Sequence, residues 1–98
     1  MEKSIHSERY AVFLETLREA RERAGLTQVQ LAKEIGETQT FVSKCERGER
    51  RIDVIELRMI CLALGLSLEK FASALEKAIG KGDRFPHVKR SRPSKSIA

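Results

Sequence analysis

Two Thr-Gln pairs stand eleven residues apart in the segment TQVQLAKEIGETQT, and Gly36 lies between them. Thr27 and Thr38 have hydroxyl groups that can cap the first turn of a helix. A glutamine directly after such a cap places a primary amide, with a donor and an acceptor side by side, at the helix end. These two groups match the N6 and N7 edge of adenine, and the free N–H groups of a helix end bind phosphate. The pairs therefore predict two helix ends that contact a DNA duplex.

The residues around the two pairs predict short helices joined by a tight turn. Gln30 completes a capping box with Thr27, and Gly36 ends that helix. Thr38 begins the next helix, which runs to about Arg47 before Gly48 stops it. Two short helices connected in this way form a helix-turn-helix.

The motif separates the roles of the two glutamines. Its first helix crosses the DNA backbone, while the N-terminal residues of its second helix reach base edges. Gln28 is therefore expected at a phosphate, and Gln39 at adenine in the major groove.

Three further helices are predicted around the motif. The first runs from about Glu8 to Ala24, and Gly25 closes it. The fourth begins at a capping box of Asp53 with Glu56 and ends at Gly65, and the fifth runs from Ser67 to Ile79. The architecture is thus all-α with five helices and no strand. The side chains expected to face inward are Phe13, Leu14, Leu17, Ala20, Arg21, Ala24, Leu31, Ala32, Ile35, Val42, Cys45, Val54, Leu57, Ile60, Cys61, Leu64, Leu68 and Phe71.

The chain divides into an N-terminal arm (1–7), one folded domain (8–79) and a basic tail (80–98). Its 98 residues suit a single core. The tail holds six of the 19 Lys and Arg residues but one of the 14 acidic residues, so the net charge of +5 belongs to the tail. We expect the tail to be disordered. It is either a solubilising end or a basic arm that attracts phosphates.

Several classes of protein are excluded by composition and spacing. No apolar run is long enough to span a membrane, and the first residues lack the apolar stretch of a secretory signal, which predicts a cytoplasmic protein. Cys45 and Cys61 are expected to be buried, and with His6 and His87 near the two ends they do not form a metal site. No nucleophile is paired with a histidine, and no cofactor motif is present. An enzyme is therefore not expected.

The segment RERAGLTQVQLAKEIGETQTFVSKCERGERRIDVIELRMICLALGLS resembles the helix-turn-helix family of phage repressor and Cro type, also called the xenobiotic-response-element (XRE) family. The resemblance covers about Leu14 to Phe71 and rests on LTQ, LA, Gly36, VSKCERG and ALG in register. It implies a five-helix bundle of lambda-repressor-like type, usually dimeric, that regulates transcription by binding double-stranded DNA.

The resemblance also assigns residues to roles. An ion pair of Arg21 with Glu46 is implied between the first and third helices, and it is structural. Base contacts are expected from Gln39, Thr40, Ser43 and Lys44. Phosphate contacts are implied for Gln28, Arg50 and Arg51. We also expect them from Thr27, Thr38 and Arg47, although Arg47 closes its helix and has interaction with the helix dipole as an alternative role.

Some of these residues have a second interpretation. Lys44, Arg47, Arg50 and Arg51 would form only a solvated face without the helix-turn-helix context. Glu37 stands where the family is commonly apolar, so it must point to solvent or pair with a neighbour such as Lys33. Phe41 either packs inside the domain or contacts a thymine methyl group or the sugar backbone.

Dimerisation is expected because one short helix reads only a few base pairs, whereas two copies read a pseudo-palindrome. Leu75 and Ile79 are the predicted contact, since they lie beyond the family's minimum core. The expected function is a dimeric repressor. The alternative is a protein-interaction module of the same fold, such as an antitoxin that binds a protein partner.

Overall fold

The computed structural model describes residues 7–80, and five helices and no strand lie within this range. The predicted all-α architecture is confirmed. The bundle is formed by α1 (Glu8–Arg23), α2 (Gln28–Ile35), α3 (Gln39–Glu46), α4 (Val54–Ala63) and α5 (Leu68–Gly80). The basic tail and residues 1–6 of the arm lie outside the described residues, as does His87.

Side-chain caps begin all five helices, including α5, where the hydroxyl of Ser67 accepts the N–H of Lys70 at 3.0 Å. The hydroxyl of Ser7 accepts the N–H of Tyr10 at the start of α1. Both predicted capping boxes, at the starts of α2 and α4, are present in full. At the other ends, α1 and α3 stop one residue earlier than predicted, and Ala24 and Arg47 are their C-caps.

The turn between α2 and α3 depends on one glycine. Gly36 has φ of 72°, in the left-handed region that side chains with a Cβ disfavour. The next N–H, that of Glu37, reaches back to the carbonyl of Ala32 at 2.9 Å. The chain can therefore turn within two residues, so that Thr38 caps α3 directly after the turn, as a helix-turn-helix requires.

The core lies where all five helices meet. α2 packs against α3 and α4, while α1 packs against α3 and α5. Phe71 of α5 is buried, and Phe13 of α1 meets it edge to face with ring centroids 5.9 Å apart. The buried apolar residues are Leu17, Leu31, Ala32, Val42, Cys45, Ile60, Cys61, Leu64 and Phe71.

The predicted core contains two errors. Ala24 is exposed because it is the C-cap of α1, beyond the last turn that packs on the bundle. Val54 is 59% exposed although it lies on the same side of α4 as the buried Cys61, because it is the first residue of the helix, at its end. Both cysteines are buried, as predicted. None of the helices within residues 7–80 is long and apolar enough to cross a membrane.

Candidate nucleic-acid interface

The N-termini of α2 and α3 carry the two Thr-Gln pairs. The hydroxyl of Thr27 accepts the N–H of Gln30 at 3.1 Å, and that of Thr38 accepts the N–H of Phe41 at 3.1 Å. Each threonine is thus occupied as an acceptor within its own helix. A hydroxyl that accepts one hydrogen bond still has its proton to donate. The two predicted phosphate contacts are compatible with capping.

The two glutamines touch each other. Gln39 Nε2 donates a hydrogen bond to Gln28 Oε1 at 2.8 Å. Gln28 is half-buried and Gln39 is exposed. The contact leaves Gln39 with one free N–H and its carbonyl oxygen. These are the donor and the acceptor that bind N7 and N6 of adenine.

Glu46 anchors this pair of amides to the core. Gln28 Nε2 donates to Glu46 Oε1 at 2.9 Å. The same carboxylate receives Arg21 Nε at 2.6 Å and Arg21 Nη2 at 3.1 Å, while Arg21 Nη1 donates to the carbonyl of Leu26 at 2.8 Å. The side chains of Arg21 and Glu46 are only 11% and 6% exposed. The hydrogen bond to Glu46 raises the pKa of the Arg21 guanidinium, so Arg21 keeps its positive charge.

The outward face of α3 carries the four expected base contacts. Gln39, Thr40 and Lys44 are exposed, and Ser43 is half-buried. Ser43 lies four residues after Gln39, and Lys44 lies four residues after Thr40, so the four positions fall within about 140° of the helix surface. The opposite side, with Val42 and Cys45, is buried in the core. Packing therefore fixes which face of α3 points outward.

The arginines after α3 are already engaged. Arg47 forms two hydrogen bonds to Glu49, at 3.0 and 3.1 Å, and also donates to the hydroxyl of Ser43. Arg50 forms two hydrogen bonds to Glu56, both at 2.9 Å. To contact a phosphate, each guanidinium must exchange a carboxylate oxygen for a phosphate oxygen, or bind the carboxylate and the phosphate at the same time.

These ion pairs change the carboxylates as well. The hydrogen bond from Arg47 lowers the pKa of the Glu49 carboxyl. The hydrogen bond from Arg50, with help from the backbone N–H of Asp53, lowers the pKa of Glu56. Both carboxylates remain ionised at neutral pH and reduce the positive potential beside α3.

Aromatic rings hold two of the arginines in place. The guanidinium of Arg50 lies 4.7 Å from the centroid of Phe41, and that of Arg51 lies 4.4 Å from the centroid of Tyr10. Phe41 is half-buried and packs against the core cluster, so the packing interpretation is the one that the structure shows. Glu37 is exposed.

The predicted dimer contact and a second apolar surface lie elsewhere. Leu75 is half-buried against the core of its own chain, and Ile79 is also half-buried. Sequence reasoning missed the outer face of α4, where Ile55, Met59 and Leu62 are exposed. Their spacing of four and three residues is visible in VIELRMICLA, where the apolar pattern by itself predicts only a core face.

Comparisons with known proteins agree with the helix-turn-helix fold. A family model described as helix-turn-helix matches residues 17–71. The chain is similar to the control protein C.MunI of a Mycoplasma species, with 32% identity over 57 residues that make up 58% of this chain and 77% of that protein.

Two solved structures are similar over most of the chain. An XRE-family like protein from Pseudomonas syringae pv. tomato str. DC3000 has a TM-score of 0.69 and 46% identity, covering 76% of this chain and 90% of the other. A mutant of the restriction-modification controller protein C.Esp1396I has a TM-score of 0.71 and 28% identity, covering 79% of this chain and 100% of the other.

The five-helix bundle and the paired helix ends define a small helix-turn-helix protein. The family match extends over more than half of the residues. This chain belongs to the XRE-type helix-turn-helix family of DNA-binding transcriptional regulators.

Proposed function

We propose that this protein represses transcription as a dimer that reads a pseudo-palindromic operator through the major groove. The observation that carries the proposal is the contact between Gln28 and Gln39, which joins the N-terminal ends of α2 and α3 at 2.8 Å. It holds a donor and an acceptor at the tip of α3 in a fixed orientation, as base reading requires.

Base contacts in this proposal come from the outward face of α3. Gln39 reads adenine, and Thr40, Ser43 and Lys44 contact the neighbouring base edges. The first turn of α2 binds the backbone, since its free N–H groups, the Thr27 hydroxyl and the Gln28 amide can all donate to a phosphate. Further contacts to the DNA backbone come from four residues at the two ends of α3: Thr38, Arg47, Arg50 and Arg51.

Repression follows from occupancy. A dimer on an operator that overlaps a promoter excludes the polymerase, and it needs no catalytic group of its own. Two half-sites one helical turn apart, about 34 Å, would match two copies related by a twofold axis. The relatives called controller proteins support a role in gene regulation.

The test is selection of bound sequences from a random duplex library at physiological salt. Wild type should enrich a palindrome, and Gln39→Ala should lose preference at one position in each half-site, at a cost of about 1–3 kcal/mol. Gln30→Ala is the matched control, because Gln30 is bound to the backbone of Thr27 and leaves base preference intact. Binding without any enrichment, weakened uniformly by salt, would instead favour a protein-interaction module such as an antitoxin.

A further inference from the structure

Helix α4 is apolar on two opposite faces. One face, with Leu57, Ile60 and Cys61, packs into the core. At 3.6 residues per turn, Ile55, Met59 and Leu62 lie together on the other side. They are 71%, 37% and 54% exposed. A helix that is hydrophobic all round is normally covered all round, so this outer face lacks the partner that its composition calls for.

The apolar face has a charged rim of both signs. Together with Glu34 of α2 and Arg58 of α4, its three side chains line an open groove of about 480 Å³. Within residues 7–80, neither Glu34 nor Arg58 forms an ion pair, whereas Arg21, Arg47 and Arg50 all do. An unpaired acid and an unpaired base on one surface make that surface complementary to a copy of itself.

We propose that the outer face of α4, formed by Ile55, Met59 and Leu62, is the contact between two copies of this chain. The inference rests on the proposed function in requiring a dimer, and it names the surface that forms it. A twofold axis buries the two apolar stripes against each other and brings Arg58 of one copy to Glu34 of the other. Both rim charges are then compensated in the dimer.

This surface leaves the DNA-contacting ends free. Glu34 lies six residues after Gln28 on α2, about 9 Å further along the helix axis. The outer face of α4 contains none of the residues assigned to bases or phosphates. The alternative surface at Leu75 and Ile79 offers less unpartnered apolar area, because both side chains are half-buried within their own chain.

Sedimentation of the full chain over a range of concentrations tests the contact without DNA. Leu62→Glu places a charge in the centre of the interface and should raise the dimer dissociation constant at least about 30-fold. Val29→Glu is the matched control, because Val29 is an equally exposed apolar residue (55%) on another helix. It should sediment as wild type, and so should Ile79→Glu.

Exchange of the rim charges keeps the test independent of apolar packing. Arg58→Glu and Glu34→Arg should each weaken the dimer, and the two together should recover most of the lost affinity, which a damaged fold would not do. Thermal melting verifies that every variant is folded. A wild type that stays monomeric, a Leu62→Glu variant that still dimerises, or dissociation by Ile79→Glu alone would overturn the inference. The DNA selection is a separate measurement. A protein that dimerises through another surface would still enrich a palindrome, so failure of this inference is distinguishable from failure of the proposed function.

Discussion

Gln28 donates its 2.9 Å hydrogen bond to a carboxylate oxygen of Glu46, the acid of the buried ion pair. The side chain that orients Gln39 is therefore tied to the connection between α1 and α3. The proposed base reading and the fold therefore depend on one carboxylate, and substitutions that separate the two effects can be designed.

Removal of Glu46 should destabilise the protein strongly. Glu46→Ala leaves Arg21 as an uncompensated buried charge, which costs about 3–5 kcal/mol in the free energy of unfolding. The double variant Arg21→Met with Glu46→Leu should recover most of that loss, since apolar groups of similar volume replace the pair. Urea unfolding measures both effects. In the refolded double variant Gln28 has lost its acceptor, so the base preference at Gln39 should still be weaker than in wild type.

Arg50 should contribute to DNA affinity but not to base preference. Arg50→Ala removes one phosphate contact, so the dependence of log affinity on log salt should become shallower by about one. Glu56→Gln should do the reverse and tighten binding at low salt, because the guanidinium no longer has a carboxylate as an alternative partner. Glutamine at this position still completes the capping box of α4. Identical affinity of Glu56→Gln and wild type would show that Arg50 stays away from the phosphates.

The Glu56 carboxyl should make stability depend on pH at the acid end. Its pKa in the folded state is lowered by Arg50, so its stabilisation is present above the unfolded value of about 4.3 and is lost as pH falls through the folded pKa. The difference in unfolding midpoint between wild type and Glu56→Gln should therefore shrink below that pH. In an Arg50→Ala background the pH-dependent part of this difference should become smaller, because only the backbone N–H of Asp53 then lowers the pKa of Glu56, and an unchanged pH dependence would contradict the assignment to Arg50.

Gly36→Ala should destabilise the turn without altering the interface. A Cβ at this position meets no atom within 4 Å, so the cost comes only from the positive φ and is about 1–2 kcal/mol. Gly80→Ala makes the same chemical change at the end of α5, where no positive φ is present, and should be neutral or slightly stabilising. Thermal unfolding of the two variants gives the comparison. Equal midpoints would mean that the turn relaxes to another conformation.

Local chemistry made the helix ends predictable from sequence. Thr27, Thr38 and Asp53 cap their helices because a short polar side chain satisfies free N–H groups within its own turn, and no distant contact is required. Gly36 was equally readable, since only the backbone conformation at that point matters. These signals locate the helix-turn-helix and, with it, the face of α3 that points outward.

Long-range pairing was much less predictable. Arg50 and Glu56 lie on either side of a loop, and their contact depends on how that loop folds back. The charges of Arg47 and Arg50 suggested phosphate, but not that carboxylates already hold them. The outer face of α4 was missed for another reason: a helix that is apolar on two sides has a sequence like that of a buried helix.

Burial of the two cysteines has a practical consequence for biophysical work. Cys45 and Cys61 are the whole thiol content of the chain, and burial raises the pKa of both. The thiolate is the form that reacts with maleimides and disulfide reagents, so both native sulfurs are chemically silent while the bundle is closed. A fluorophore can therefore be attached to a cysteine introduced at the surface without first deleting the native ones. In unlabelled protein, the rate of thiol modification reports how readily the bundle opens.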